Sequence, residues 1–130
     1  MDNLLQLTIA KLELKQLEVI DKMSRRHNDY VIRIIMSTIT NKFVAVNGDW
    51  ELVTDLKESS CVGKSWEDVS PKNDINKIKS RIELIKSDKN DFKSFESRII
   101  KKDGGILDVD WIGKYFPEIN GLVLIGRVSR

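Results

Sequence analysis

The residues that could support catalysis are few and do not form a catalytic pattern. His27 is the only histidine and Cys61 the only cysteine among 130 residues. A serine triad would need His27 as its base, and no Gly-x-Ser-x-Gly elbow is present. One histidine with one cysteine is too few for an ordinary zinc site. Two carboxylates could act as general acid and general base, but nothing in the sequence specifies such a pair. We therefore predict that the chain is not an enzyme.

Two short patterns could bind an ion. Gly63-Lys64-Ser65 matches the end of a phosphate-binding loop, but that loop needs a glycine where this chain has Glu58, so we interpret the segment as a turn. Asp103, Asp108 and Asp110 could bind a hard cation in principle. The two-residue period of a strand places Asp108 and Asp110 on one face, whereas Asp103 falls in a turn. We interpret the three carboxylates as solvated.

The composition predicts a single globular domain. About 41% of the residues are hydrophobic and 32% are charged, which suits one core with a charged surface. The 22 basic and 20 acidic residues are interspersed, so we expect neither a nucleic-acid partner nor a membrane surface. No apolar run approaches the roughly twenty residues that span a bilayer. These features predict a cytoplasmic protein.

The first part of the chain predicts an amphipathic helix. Residues 2 to about 27 lack Gly and Pro and are rich in good helix formers. Leu7, Leu14 and Leu17 widen the apolar arc, so we expect one side to pack on its own domain and the other on a second copy of the chain. We assign residues 1–29 to a dimerisation helix that makes the protein a homodimer. The apolar stripe of this helix is Leu5, Ile9, Leu12, Val19 and Met23.

The next segment predicts two strands and then an ambiguity. Thr38 to Asn41 form a turn, and Lys42 to Val46 a second strand. Asn47-Gly48 is a hairpin signal, which would make Trp50 to Thr54 a returning strand, but Asn47 could instead cap a short helix near Asp49. Local signals favour the hairpin slightly. The residues that predict the first strand are Tyr30, Val31, Ile32, Ile34, Ile35 and Ile39.

The second half predicts one helix and a three-stranded meander. Residues 55 to 72 are irregular, and a helix then runs to about Lys86 with isoleucines at helical spacing. The strands are roughly Phe92 to Lys101, Ile106 to Phe116 and Leu122 to Val128, with a tight turn at Asp103-Gly104-Gly105. Helices and strands are segregated along the chain, which predicts an α+β fold with an antiparallel sheet.

One strand face combines aromatic residues with a glycine. The two-residue period directs Leu107, Val109, Trp111, Gly113 and Tyr115 to the same face. Gly113 between two aromatic residues predicts open space, which in a curved sheet could form a small-molecule pocket. The alternative is that these side chains simply fill the core, or that they cover the N-terminal helix on the opposite face, and we favour core packing.

The order of these segments resembles the PAS family. Its pattern is a strand ending in Asn, a short helix, a Gly-Lys step, a Pro-containing turn, a connecting helix and a three-stranded meander. The resemblance covers roughly residues 30 to 129. The segments that carry it are Phe43-Val44-Ala45-Val46-Asn47, Val62-Gly63-Lys64-Ser65-Trp66, Val69-Ser70-Pro71 leading to Asp74, Phe95-Glu96-Ser97-Arg98, Lys101-Lys102-Asp103-Gly104, Trp111, and Gly121 to Gly126.

The resemblance implies a fold and a function. It implies a PAS-like domain over residues 30–130, with a five-stranded antiparallel sheet, helices on one face and Asn47 as a helix cap. The implied function is a sensory or regulatory module of signal transduction that homodimerises and binds a small ligand on the inner face of the sheet. A ligand-free protein-interaction adaptor is the alternative. The pocket candidates are Asn47, Trp50, Trp66, Ile78, Ile82, Arg98, Trp111 and Tyr115, although for Arg98 we prefer a structural ion pair.

The resemblance also bears on cofactors, of which the sequence names none. Haem-binding relatives carry an axial histidine on the connecting helix, and residues 73 to 86 contain none. Relatives that form a cysteinyl-flavin adduct carry an Asn-Cys-Arg-Phe-like helix, which is absent, and Cys61 has no cationic sequence neighbour that would activate it. The sequence therefore argues against both cofactors.

Overall fold

The computed structural model describes residues 29–129, and within them the chain forms one five-stranded sheet with helices. All strand pairs are antiparallel, as predicted, and the strand order is β2-β1-β5-β4-β3. The strands are β1 (Tyr30–Ser37), β2 (Phe43–Gly48), β3 (Lys93–Ile100), β4 (Ile106–Phe116) and β5 (Gly121–Val128). The helices are α1 (Trp50–Thr54), α2 (Glu58–Cys61), α3 (Trp66–Val69) and α4 (Ile75–Lys86), with short 3-10 turns at Lys72–Asp74 and Pro117–Ile119.

The first and last strands lie side by side in the middle of the sheet. Tyr30 at the start of β1 is paired with Val128 at the end of β5. Beside this pair, Arg127 Nε lies 3.4 Å from Asp29 Oδ2, and Arg127 Nη2 lies 3.4 Å from Asp110 Oδ2. Arg127 thus links the residue that precedes β1 to strands β4 and β5.

The inner face of the sheet, which the described helices cover, forms the main core. Alternate residues of the strands point to this face, among them Ile32, Ile34, Val109, Trp111 and Leu124. Helix α4 packs on β3 and β4 through the isoleucines that the sequence spaced at helical intervals. These are Ile78, Ile82 and Ile85, which are all buried. The predicted placement of the helices on one face is confirmed.

The outer face of the sheet is also apolar. Ile35, Val123 and Ile125 form its centre, and none of them exposes more than 3% of its surface. The residues around them come from strands and from the 3-10 turn, and none comes from the four described helices. The sheet is therefore hydrophobic on both faces near its middle.

The segment before α4 is more regular than the sequence predicted. Residues 55 to 72 were expected to be irregular, yet they contain α2 and α3. Ser65 and Asp68 explain the start of α3, because they form a capping box in which the Ser65 N–H donates to Asp68 Oδ2 at 2.9 Å. This Ser-x-x-Asp spacing was visible in the sequence. Helices of four residues are too short to produce an apolar periodicity, so pattern analysis missed both.

Strand β1 ends two residues before Ile39, which we had predicted as part of it. The Ser37 hydroxyl accepts hydrogen bonds from the N–H groups of Ile39 (3.1 Å) and Thr40 (3.2 Å). These bonds turn the chain locally in competition with the strand ladder. Ile39 is 74% exposed as a result.

The structure resolves the ambiguity at Asn47-Gly48 in favour of a helix. Trp50–Thr54 is α1, so the returning strand is wrong. Asn47 is nevertheless not the cap: it lies within β2, and Asp49 precedes the helix without a capping hydrogen bond from its side chain. Asp49 instead accepts the Val31 N–H on Oδ2 at 3.0 Å, which fastens the start of α1 to β1.

Two glycines on the inner face allow bulky side chains to pack against the sheet. A Cβ at Gly126 would lie 2.6 Å from Val109 Cγ1 and 2.8 Å from Trp111 Cζ3. At Gly113, a Cβ would lie 2.6 Å from Leu124 Cδ2 and 3.1 Å from Ile85 Cδ1. The open space predicted at Gly113 is therefore wrong, because Leu124 and Ile85 occupy it.

We predict that Gly126→Ala lowers the free energy of unfolding by about 2 kcal/mol, because a methyl group there overpacks an indole ring and a β-branched side chain. Gly113→Ala serves as a matched substitution and should cost less, since the ends of Leu124 and Ile85 can shift. Urea unfolding with an unchanged slope measures both values. If both substitutions lowered the free energy of unfolding equally, the contact with the Trp111 ring would not be the reason that position 126 requires glycine.

Candidate functional site

The centre of the inner face is a cluster of aromatic rings. Trp66 of α3 meets Phe43 of β2 edge to face at 5.2 Å between ring centroids, and it meets Trp111 of β4 in the same way at 5.5 Å. Phe95 of β3 stacks on Trp111 at 6.5 Å. Such pairs are favourable beyond the burial of their surface. The cluster joins α3 to β2 at one edge of the sheet and to β4 and β3 toward the other edge.

The buried indole N–H groups differ in their hydrogen bonding. Trp111 Nε1 donates to Ser97 Oγ at 2.8 Å. Trp50 Nε1 and Trp66 Nε1 are buried, and neither has a partner among the described residues. A buried donor without an acceptor is destabilising by about 1–3 kcal/mol. These two N–H groups are the buried indole donors for which residues 29–129 supply no acceptor.

A cavity of about 320 Å³ lies beside Trp66, between α3, α4 and the turn that follows β1. Trp66 and Ile82 provide much of its apolar wall, and both are among the predicted pocket residues. Its volume is at the lower end of the range for small-molecule sites. The cavity is lined by Met36, Asn41, Trp66, Glu67, Lys79, Ile82 and Glu83.

Ion pairs balance the charge at the rim of this cavity. Lys79 Nζ lies 2.8 Å from Glu67 Oε1, and Lys86 Nζ lies 3.3 Å from Glu83 Oε1. Hydrogen bonds from Lys79 and Ser65 lower the pKa of Glu67 to about 2. Glu67 therefore stays ionised at any physiological pH. A rim whose charges are paired favours a neutral ligand over an ionic one.

Sequence reasoning missed these rim residues. Glu67 and Lys79 are far apart in sequence, and only the packing of α3 beside α4 brings them together. Neither residue stands in a motif. A long-range contact of this kind leaves no local signal in a single sequence.

Other predicted pocket residues lie in the core rather than at the cavity. Trp50 and Ile78 are 0% exposed, and Trp111 is nearly as buried. Tyr115 is half-buried and packs at the margin of the inner core. Asn47 lies on β2 opposite Arg33 of β1, and its Oδ1 accepts a hydrogen bond of 2.5 Å from Arg33 Nε. Arg33 alternates with the inner residues Ile32 and Ile34, so this bond belongs to the outer face.

Arg98 forms the structural ion pair that the sequence analysis preferred. Its Nη2 lies 2.8 Å from Asp74 Oδ1 and its Nε lies 3.1 Å from Asp74 Oδ2. The Arg98 main-chain N–H also donates to Asp74 Oδ2, at 3.1 Å. Hydrogen bonds from the guanidinium group are the main reason that the pKa of Asp74 is lowered. The pair fastens the start of α4 to β3.

The remaining candidates have ordinary surroundings. Cys61 is buried in the core with a free thiol. Asp103 accepts the Gly105 N–H within its turn, and Asp108 and Asp110 are exposed. Residues 29–129 contain no cluster of three or more metal-ligating side chains. Leu5, Ile9, Leu12, Val19 and Met23 lie outside the described residues, as does His27.

None of the helices in the described part of the chain is both long enough and apolar enough to cross a bilayer.

A sequence profile of the PAS fold matches residues 43–126, which is more than half of the chain. No curated protein matches the sequence. Many solved structures are similar, but at low sequence identity, so they establish the fold alone.

Three of these structures illustrate the range of similar proteins. The PAS-B domain of Drosophila melanogaster Cycle with bound ethylene glycol is 16% identical with a TM-score of 0.61, over 77% of this chain and 97% of that one. The PAS domain of an HTR-like protein from Haloarcula marismortui is 14% identical with a TM-score of 0.61, over 96% and 98%. The PAS domain of the Cronobacter turicensis quorum-sensing receptor RpfR, in complex with BDSF, is 14% identical with a TM-score of 0.58, over 80% and 94%.

We predict that Asp74→Asn lowers the free energy of unfolding at neutral pH by about 1 kcal/mol, because it weakens hydrogen bonds to a partly exposed cation. The pKa of Asp74 is lower in the folded state, so its contribution is present above the ordinary value of 3.8 and is lost as the pH falls through the folded value. The difference between wild type and variant should therefore shrink as the pH falls below 3.8, and disappear once the pH is below the lowered pKa of the folded state. Urea unfolding over this pH range measures it.

Asp91→Asn is the matched control, since Asp91 is an exposed carboxylate in the loop before β3. It should leave the unfolding free energy nearly unchanged at neutral pH. If Asp74→Asn lost the same stability at acidic and neutral pH, the ionised Asp74 would not be the source of the stabilisation.

Proposed function

This chain belongs to the PAS family of signal-transduction sensory modules, and from that premise we propose that it senses a small neutral molecule at the inner face of its sheet. The observation that carries the proposal is the buried Trp66 N–H, which has no acceptor among residues 29–129, on a residue that lines the 320 Å³ cavity. A ligand oxygen is the simplest partner for such a donor.

The surroundings of Trp66 indicate the chemistry of the ligand. The walls formed by Met36, Trp66 and Ile82 are apolar, and the charged groups at the rim are paired with one another. The ligand class is therefore a small neutral molecule with a hydroxyl or carbonyl oxygen. Similar PAS structures hold ethylene glycol in one case and BDSF in another, which shows that this fold accepts small molecules in other proteins.

We propose a binding role rather than a catalytic one. The described charged residues that line the cavity, Glu67, Lys79 and Glu83, are held in ion pairs, and the buried thiol of Cys61 lies in the core. The proposed compartment is the cytoplasm, where a free thiol is the ordinary state of a lone cysteine.

We further propose that the module acts as a homodimer through residues 4–23. The outer face supports this proposal, because its apolar centre of Ile35, Val123 and Ile125 lies on strands β1 and β5. Under this proposal, the predicted helix before Tyr30 would pack on these strands with one side and on a second copy with the other. A ligand at the inner face would then act on the dimer through the central strands.

The second candidate function is an adaptor that binds another protein and no ligand. The partly exposed apolar residues around the outer-face centre favour it, among them Val44, Ile112 and Phe116, since exposed apolar patches commonly mark protein interfaces. The two functions differ in one respect that is easily measured. A sensor binds a small molecule at Trp66, and an adaptor does not.

We predict that Trp66→Phe weakens ligand binding by about tenfold, because it removes one buried hydrogen-bond donor while retaining an aromatic ring. Native mass spectrometry of the chain as purified from cells will identify a co-purifying molecule. Ligand-observed NMR with a set of neutral hydroxyl and carbonyl fragments tests binding directly.

Phe116→Leu is the control, since Phe116 packs at the outer face of the sheet. It should bind the fragments as the wild type does. If no molecule co-purifies and no fragment binds, the sensor proposal is wrong and the adaptor is favoured.

We predict that Leu12→Lys combined with Val19→Lys converts the dimer to a monomer, because two buried cations would be desolvated at the helix contact. Sedimentation velocity at several concentrations measures the association state. Glu18→Ala changes a charge on the polar side of the predicted helix and should leave the dimer intact. An unchanged association state in the double variant would exclude this helix as the dimer interface.

A further inference from the structure

Each edge of the sheet is covered in part by other described residues. At the β2 edge, the Phe43 N–H donates to the Lys64 carbonyl and the Gly63 N–H donates to the Phe43 carbonyl, both at 2.8 Å. At the β3 edge, the Arg98 N–H is bonded to Asp74, and the Lys102 N–H donates to the Thr54 carbonyl at 2.9 Å. These bonds cover the later part of the β3 edge.

The earlier part of the β3 edge is open. In an antiparallel ladder, alternate residues direct their N–H and C=O groups toward the neighbouring strand and away from it. Arg98 directs its N–H away from β4, so Ser94 and Glu96 do the same. No described residue bonds to the outward groups of Ser94 and Glu96. Both side chains are exposed. An open strand edge of this kind is able to pair with another extended chain.

A surface cleft of about 540 Å³ lies along this open edge. One wall is formed by α4, which contributes Lys77 and Arg81, one helical turn apart. Neither cation forms an ion pair within residues 29–129. The opposite wall carries the carboxylates of Glu96 and Asp110, which are cross-strand neighbours on β3 and β4. Arg127 also lines this wall, and its Nη2 lies 3.4 Å from Asp110 Oδ2, so Glu96 is the wall's unpaired carboxylate among the described residues. The cleft therefore has a cationic side toward α4 and a mainly anionic side toward the outer face.

We propose that the Ser94–Glu96 edge binds an extended peptide segment of a partner protein by strand addition. The added strand would exchange main-chain hydrogen bonds with Ser94 and Glu96. Its side chains alternate between the two walls, since successive residues of a strand point to opposite faces. The matching segment has acidic residues directed toward Lys77 and Arg81, and a basic residue directed toward Glu96. Charge alternation with a period of two residues is the chemistry that identifies the partner.

The proposal is tested with a synthetic peptide of about eight residues, a common strand length, in which glutamate and lysine alternate. A scrambled peptide of the same composition, with the glutamates and lysines in separate blocks, is the control. We expect the alternating peptide to bind the full chain at least about tenfold more tightly in fluorescence anisotropy titrations. In amide NMR spectra, the Ser94 and Glu96 signals should be among those that shift most. Absence of binding, or equal binding of both peptides, overturns the proposal.

Proline substitution separates strand addition from simple charge attraction. Glu96→Pro removes only an outward N–H, so the β3–β4 ladder remains and the peptide contact is lost. We expect Glu96→Pro to bind about tenfold more weakly than the charge-matched Glu96→Gln. Ser94→Pro, compared with Ser94→Ala, gives a second test if Glu96→Pro unfolds at a lower temperature. Equal affinities of the proline variants and their controls would overturn strand addition.

Charge reversal tests the cationic wall. Lys77→Glu together with Arg81→Glu should abolish the preference for the alternating peptide, whereas Lys89→Glu in the loop before β3 should leave it unchanged. A further outcome is self-pairing of β3 edges between two copies of the chain. Self-pairing would appear as a dimer that forms with rising protein concentration in the absence of peptide and that Glu96→Pro dissociates. This result would overturn the proposal that a partner peptide occupies the edge.

Discussion

The contact of Trp66 with Phe43 and Trp111 is the interaction on which the layered arrangement of this domain depends. Helices α1, α2 and α3 have four or five residues each, and isolated helices shorter than about 12 residues are not stable in water. They persist because each buries an anchor in the sheet, namely Trp50, Cys61 or Trp66. Trp66 bridges an edge strand and β4, so the same ring that positions α3 also forms a wall of the proposed sensing cavity. Stability and recognition therefore rely on one side chain.

The sequence predicted long elements well and short ones poorly, for a physical reason. The isoleucines of α4 and the β-branched residues of β5 repeat over enough turns or alternations to reveal a period. Helix α3 has no period, and only its Ser65–Asp68 capping box could have located it. Ile39 has a strand-forming side chain, but the Ser37 hydroxyl overrides that preference. The prediction at Gly113 was wrong because the space beside a glycine depends on residues far away in sequence.

The residues of the candidate site were also predicted only in part. Trp66 and Ile82 were predicted to line a pocket, and they do border the cavity. Their charged neighbours Glu67 and Lys79 come from separate elements and could not be inferred without the fold. Helix α4 is important to both proposed surfaces, because Lys79 and Ile82 face the cavity while Lys77 and Arg81 line the β3 cleft. A small displacement of this helix would alter both surfaces at once. A packed element that borders two sites in this way is able to couple them.

The pairing of Tyr30 with Val128 has a further consequence for how such a domain can be combined with other proteins. The backbone enters the sheet on β1 and leaves it on the neighbouring strand β5, so the points of entry and exit are about 5 Å apart. Inserting the domain into a loop of a host protein would therefore barely separate the two cut ends of that loop. The salt link from Arg127 to Asp29 would hold the junction closed. Grafting it as a removable cassette, flanked on both sides by host sequence, is geometrically straightforward.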